Sequence, residues 1–328
     1  MTSRLGIDLG GTKIEVAVVA ADNSVRMRER IATPQADYRE TLKAIAALIE
    51  RAEAATGDHL GHVGIGTPGS ISPATGLMRN ANSTCLNGER LQSDLEDLTG
   101  RSIRMANDAN CFALAEAVSG AGRGHQTVFG VIVGTGVGGG VVINGRTLLG
   151  RNAIGGEWGH NPLPAPLASE LPGPLCYCGR RGCIETWCSG PAIAADHLQR
   201  TGADMPAEMI AGVAAAGDMD AIETLDKHRD RLGRALAGVV NILDPDVIVL
   251  GGGLSKMPGL AEKLPDAMRP HVFSDSFETP VVVNQLGDSA GVIGAAWLWP
   301  LEDVAKEDVQ ERPPTAAKRA LSNSERQT

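Results

Sequence analysis

Aromatic side chains make up only 3% of the 328 residues: four Phe, four Trp and two Tyr. An interior so poor in large flat groups must be filled by aliphatic and small residues. The 41 glycines point to many tight turns and to places where backbone comes close to a ligand. Excess positive charge is missing too. Thirty Lys and Arg stand against 39 Asp and Glu, a net charge of −9, which argues against a broad basic surface for nucleic acid. No apolar run approaches the ~20 residues of a membrane-spanning helix. The start, MTSRLGIDLGGTK, enters an apolar strand and a glycine turn at once and lacks signal-peptide anatomy. The expectation is a cytoplasmic protein whose thiols stay reduced, with no membrane or nucleic-acid partner. Of its six cysteines, three crowd into CYCGRRGCIE (176–185). A bridge between Cys176 and Cys178 would be badly strained, so metal ligation is the reason for the crowding.

Hydrophobic periodicity organises the chain. RLGIDLG (4–10) and KIEVAVVA (13–20) read as strands around a glycine turn. Residues 39–56 place Leu42, Ile45, Ile49 and Ala52 on one helical face. HVGIGTPG (62–69) reads as a buried strand, and 108–120 as a helix with Asp108 in its first turn and Gly120 at its end. The pattern then restarts. TVFGVIVGTGVGGGVVINGR (127–146) is again strand, glycine turn, strand; 231–245 is a helix stopped by Pro245; 246–253 is a strand and glycine loop; 289–299 is a closing helix. The fold expected is α/β, a duplicated unit with a cleft between its halves. Residues 1–118 form the first domain, completed by the helix near 289–300, and 119–288 the second. Residues 301–328 are a polar tail expected to be disordered.

Gly134, Gly136 and Gly139 match G-x-G-x-x-G, a dinucleotide-binding signature. That motif must open a helix, whereas GVVINGR (140–146) is β-branched and ends in an Asn-Gly hairpin turn, which rejects it. What remains is two glycine-rich hairpin tips, DLGGTK (8–13) and GTGVGGG (134–140), each able to turn backbone N–H groups and a Thr hydroxyl toward a phosphate. Asp8 precedes the first tip and could hold Mg²⁺. A third loop, Gly251-Gly252-Gly253, leaves room for a base and ribose.

GIDLGGTK (6–13), ANDANC (106–111), GTGVGGG (134–140), GEWGH (156–160) and CYCGRRGCIE resemble the successive signatures of the ROK family of bacterial sugar kinases and sugar-responsive repressors. The resemblance runs from about residue 4 to 300. It implies an actin/hexokinase-like fold of two ribonuclease-H-like halves closing on ATP and a sugar. Gly10, Gly11, Thr12, Lys13, Gly134, Thr135 and Gly136 would lie by the phosphates with Asp8 and Mg²⁺, and Gly251 and Gly252 by the adenosine. The family's zinc pattern falls on His160, Cys176, Cys178 and Cys183, a closed structural set. Spacing alone leaves open a four-cysteine set using Cys188 in place of His160. Cys85, Cys111 and Cys188 are assigned as buried free thiols. Sugar ligands would be Gly69, Asn82, Asn107, Asp108, Glu157, His160 and Glu185. The family's catalytic base falls on Asp108, which could also be a helix cap.

Residues 68–88, rich in Asn, Ser and Thr, should line the sugar side of the cleft. That stretch, with 156–164 and 241–253, is most similar to the family's fructokinase/mannokinase branch. N-acetylglucosamine kinases of the family usually carry a different stretch at NANST (80–84). The implied reaction is fructose to fructose 6-phosphate, with mannose or glucose as further substrates. The alternatives are a glucokinase, an N-acetylhexosamine kinase, or a non-catalytic sugar sensor. A repressor is argued against by the few residues before the first glycine hairpin and by the negative charge. A homodimer is implied by the resemblance.

Overall fold

The computed structural model describes residues 3–300 and Asp303; the rest of the expected tail lies outside the described residues. The first apolar stretch is β1 (Ser3–Leu9), which reverses through the glycine tip into β2 (Lys13–Ala20) and pairs with it antiparallel. β3 (Val25–Ala32) closes this edge. Its charge-rich sequence fits an edge strand, and Arg28 and Arg30 both pair with the buried Glu15 of β2. Asp37 then caps α1 (Tyr38–Thr56), accepting from Glu40 N at 3.0 Å, and Gly57 ends the helix in the left-handed region. β4 (His62–Thr67), the small hairpin β5 (Ser70–Ile71) and β6 (Met78–Arg79), α2 (Leu91–Thr99), β7 (Ser102–Asn107) and α3 (Asp108–Ser119) complete the first half.

The second half opens with β8 (Thr127–Val133), β9 (Val137–Ile143) and the short β10 (Arg146–Thr147). A long insertion follows, carrying α4 (Glu185–Cys188), α5 (Gly190–Thr201), α6 (Ala207–Ala215) and α7 (Met219–Leu243). β11 (Val247–Gly251), α8 (Leu260–Met268), β12 (Val281–Val283) and α9 (Ala290–Trp297) end the fold. α7 starts well before the expected residue 231. Asp218 caps it, accepting from Ala221 N at 2.8 Å, and its polar first half turns charges outward.

The strand orders are β3-β2-β1-β4-β7 and β10-β9-β8-β11-β12. In each sheet the first three strands run antiparallel and the last two join parallel. The expected duplication is therefore a duplication of topology, with β1 and β8 as equivalent strands. α1 and α2 cover the outer face of the first sheet, while α7 and α8 belong to the core on the outer face of the second.

Between the sheets lies a third core of small residues, where α3 and α9 cross. The helices exchange sides. α3 follows the first sheet but packs on β8 and β9; α9 follows the second but packs on β1 and β4. Close approach is obligatory. A Cβ at Gly294 of α9 would lie 1.8 Å from Cys111 O of α3, and one at Gly64 of β4 would lie 1.7 Å from Ala295 O. Both obstacles are backbone atoms that cannot swing aside. Among the described residues, no helix is long and apolar enough to cross a membrane. Gly294→Ala should cost about 3 kcal/mol or more of unfolding free energy by urea titration; a loss under ~1 kcal/mol would mean the crossing can open without cost.

Candidate active site

The cleft floor is built by the two tips and the helix starts beside them. At the first tip Gly10 N donates to Lys13 O at 3.0 Å. Thr33 pins the turn from β3's end, its Oγ1 donating to Gly10 O at 2.7 Å and its N to Thr12 O at 3.0 Å. Gly11 and Thr12 remain exposed. A Cβ on Gly11 would lie 3.2 Å from Ser83 Oγ, so the 80–84 stretch abuts this tip. The second tip is closed by Gly134 N donating to Gly136 O at 2.9 Å, while Gly134 O accepts from Gly190 N at 2.7 Å, at the start of α5. The third glycine loop packs beside it. Gly252 has φ +82°, and a Cβ there would meet Val133 O at 2.3 Å. The structure thus brings together Gly134 and the 251–253 loop, and places Thr12 and Thr135 on equivalent exposed tips.

Two carboxylates occupy the floor. Asp8 ends β1 beneath α9, where a Cβ on Gly291 would lie 2.7 Å from its Oδ2. Burial, then the charges of Asp108 and Glu15, push its pKa up to about 6. Asp108 opens α3. The helix cap is Asn107, and not Asp108 as the alternative reading has it: Asn107 Oδ1 accepts from Asn110 N at 2.8 Å and Asn110 Nδ2 at 2.7 Å. Asp108 Oδ1 accepts from the neighbouring Ala109 N, at 2.8 Å. Solvent reaches Asp108 through the open cleft, but protein encloses it on most sides, and that enclosure raises its carboxyl above the usual carboxylate range. Neighbouring acids held at a cleft floor form a donor set suited to a hard divalent cation.

Three of the sugar-side candidates, Glu157, His160 and Glu185, lie on the insertion. Trp158–His160 form a 3-10 turn directly after the exposed Glu157. Trp158 anchors the turn, its Nε1 donating to Gly138 O at 2.9 Å and its ring packing edge-on against Phe129. Glu185 opens α4, and its Oε2 accepts from Val137 N at 3.0 Å. One oxygen of an expected sugar ligand is therefore tied to the second tip. A Cβ on Gly136 would lie 2.6 Å from that oxygen, so glycine is what admits it. Gly69 has φ +79° and packs on the backbone of Arg79 and Ala81; Asn82 is exposed.

His160, Cys176, Cys178 and Cys183 converge, with all their ligand atoms within 4.8 Å of one another. Cys176 Sγ lies 3.6 Å from His160 Nδ1, and Cys178 Sγ 3.6 Å from Cys183 Sγ. A tetrahedral thiolate–imidazole site spaces its sulfurs about 3.8 Å apart and a sulfur and nitrogen about 3.6 Å apart. The set fits a metal of that kind. Cys188 is buried in the core outside this group, as is Cys111 in its own layer, whereas Cys85 is only half-buried. His160 Nε2 faces away from the cysteines and meets Tyr177 Oη at 2.8 Å. Sequence reasoning passed over Tyr177, although it stands between two ligands of the motif. Its hydroxyl is partly shielded and lies near Glu185 and Glu157; the shielding and these charges push its pKa up to about 12.

Comparison with known proteins places this geometry. The N-acetylgalactosamine kinase AgaK of Shewanella sp. (strain ANA-3) is 40% identical over 297 residues, 89% of this chain and 95% of that one. An N-acetyl-D-glucosamine kinase of Yersinia pseudotuberculosis is 38% identical, over 89% of this chain and 97% of that one. These relatives do not carry the expected fructokinase/mannokinase branch. A ROK hexokinase from Thermus thermophilus superposes with TM-score 0.83 at 33% identity, covering 93% of this chain and all of that one. A ROK family glucokinase from Streptomyces griseus, in complex with glucose and AMPPNP, superposes with TM-score 0.67 at 28% identity, covering 90% and 98%. The ROK family model matches residues 4–302, and the chain belongs to the ROK family, as a sugar kinase.

Proposed function

We propose that this chain transfers the γ-phosphoryl group of ATP to the 6-hydroxyl of an N-acetylated hexosamine. The observation that carries the phosphoryl transfer is the Asp108 carboxyl, released from capping by Asn107 and set at a cleft floor between two equivalent glycine tips. The sugar class is supported by the relatives at 40% and 38% identity, which outweigh the likeness of residues 68–88 to the fructokinase branch.

ATP lies between the tips, with Thr12 and Thr135 at its phosphates and Gly251 and Gly252 at its adenosine. Mg²⁺ bound at Asp8 would neutralise charge on the phosphates. The sugar lies against Asn107, Glu157, His160 and Glu185, whose carboxylates accept from its hydroxyls. As the 6-hydroxyl oxygen attacks the γ-phosphorus, its proton passes to Asp108; the bond to the bridging oxygen breaks and ADP leaves. The raised pKa of Asp108 makes it a better proton acceptor than an ordinary surface carboxylate. His160, Cys176, Cys178 and Cys183 would hold Zn²⁺ as a structural clamp that fixes Glu157 and Glu185 relative to each other. Closure of the halves keeps water from competing as acceptor.

Initial rates with ATP and N-acetyl-D-glucosamine, N-acetyl-D-galactosamine, glucose, mannose and fructose test the substrate class. An N-acetylhexosamine should lead in kcat/KM by about tenfold or more. Fructose in the lead would restore the branch suggested by residues 68–88, and sugar binding without turnover would favour a sensor. Asp108→Asn should lower kcat by about 10²–10⁴-fold while calorimetry shows sugar binding within about threefold of wild type; near-normal turnover would remove Asp108 as the base.

The carboxylate pair also sets a pH dependence. Both acids must be ionised to work, so kcat/KM should fall as pH drops through about 6, the Asp8 value, rather than near 4. The sign for stability is opposite. A carboxyl whose folded pKa is raised binds its proton more tightly in the folded state, so stability is lost as pH rises from about 4 through about 6. Asp8→Asn should therefore raise the unfolding free energy of ligand-free protein at pH 8, by the order of 1–3 kcal/mol, with the gain vanishing below pH 4. A gain that persists at pH 3.5 would rule out charge burial as its cause.

A further inference from the structure

We propose that Tyr177 is a positioning residue whose hydroxyl stands in for a substrate hydroxyl on His160 Nε2. The inference rests on the sugar-binding reading above. His160 Nδ1 faces Cys176 Sγ at 3.6 Å, the side on which a metal would bind. With the lone pair of Nδ1 given to the metal, the ring proton resides on Nε2, which then donates to Tyr177 Oη at 2.8 Å. A neighbour on the second nitrogen holds both the tautomer and the ring plane of a ligating histidine. Tyr177 supplies that neighbour from within the metal loop itself, between Cys176 and Cys178.

The bond is built to be exchanged. The Tyr177 side chain is 83% exposed, and its ring meets the imidazole only edge-on, with centroids 5.0 Å apart. Swinging it outward uncovers little apolar surface. A phenol also carries the same hydrogen-bonding capacity as a sugar hydroxyl, one donor with acceptor lone pairs. Its oxygen sits in the field of Glu157 and Glu185, the two carboxylates assigned to the sugar. A substrate hydroxyl entering there meets the same N–H donor and so takes over the bond that Tyr177 accepts in its absence, with a carboxylate nearby to accept its proton. Sugar and Tyr177 thus compete for one nitrogen, and the metal site keeps a partner on His160 in either state.

Tyr177→Phe keeps the ring and removes only the competing oxygen. Two readouts are used on zinc-loaded full-length protein. Zinc transfer to a colorimetric chelator should be about tenfold or more faster in the variant without sugar, and equal to wild type with saturating N-acetyl-D-glucosamine or N-acetyl-D-galactosamine. Calorimetry without ATP should show the variant binding the sugar several-fold more tightly, because no internal group must be displaced. Weaker sugar binding by the variant would mean that Tyr177 contacts the bound sugar and would overturn the exchange. Unchanged zinc transfer in the sugar-free state would overturn it too. A wild-type protein that binds neither sugar would overturn the substrate reading and the exchange together, whereas loss of phosphoryl transfer alone touches neither readout.

Discussion

The backbone contact between α3 and α9 is the constraint on which the rest of the structure depends. Gly294 lets one helix touch the carbonyl of Cys111 on the other, and at that distance the axes have no freedom to slide. Each helix bears on one carboxylate. Asp108 is the first residue of α3, and Asp8 is walled by Gly291 of α9. The burial that raises both carboxyls, and at Asp8 the added charge of Asp108, follow from where the two helices are set. The site is a by-product of packing in the sense that its electrostatics are set by where an apolar layer of small and aliphatic residues holds the helices.

Much of this was legible in the sequence because it depends on local signals. Two glycine turns between β-branched runs marked β1–β2 and β8–β9, and the crowded cysteines marked a metal group, whose histidine came from the family resemblance and not from spacing. The distribution of the remaining features is tertiary. β3 reads as a charged segment because it lies at an edge, and its arginines make sense only beside the buried Glu15. The first half of α7 is polar because its outer face meets water. The capping role passed from Asp108 to Asn107 because the choice between adjacent residues lies in backbone geometry, which composition does not encode. The sugar was the least legible. Hexoses differ in where hydroxyls and an acetamido group sit, and the same Asn, Ser and Thr side chains can face any of them.

Glu185 ties the insertion to the second glycine tip. One oxygen is held by the backbone at Val137, on the tip assigned to phosphates, and the residue follows Cys183 by two positions. The cysteine loop, the second glycine tip and Glu185 are thereby one mechanical unit. Gly136 belongs to that unit, since a side chain there would collide with the carboxylate. A glycine-rich motif can thus be retained for what its neighbours require and not only for the ligand it faces.

The exchanged helices also impose an order on the life of the chain. β1 and β4 are among the first strands made, yet the face that α9 covers stays bare until residues 290–297 have been synthesised. The first half therefore cannot complete its core as it emerges from the ribosome; it waits, with an apolar surface open, for the last helix. Folding of the two halves is coupled from the outset, and a chain truncated before α9 would lack a wall of both its interior and its cleft.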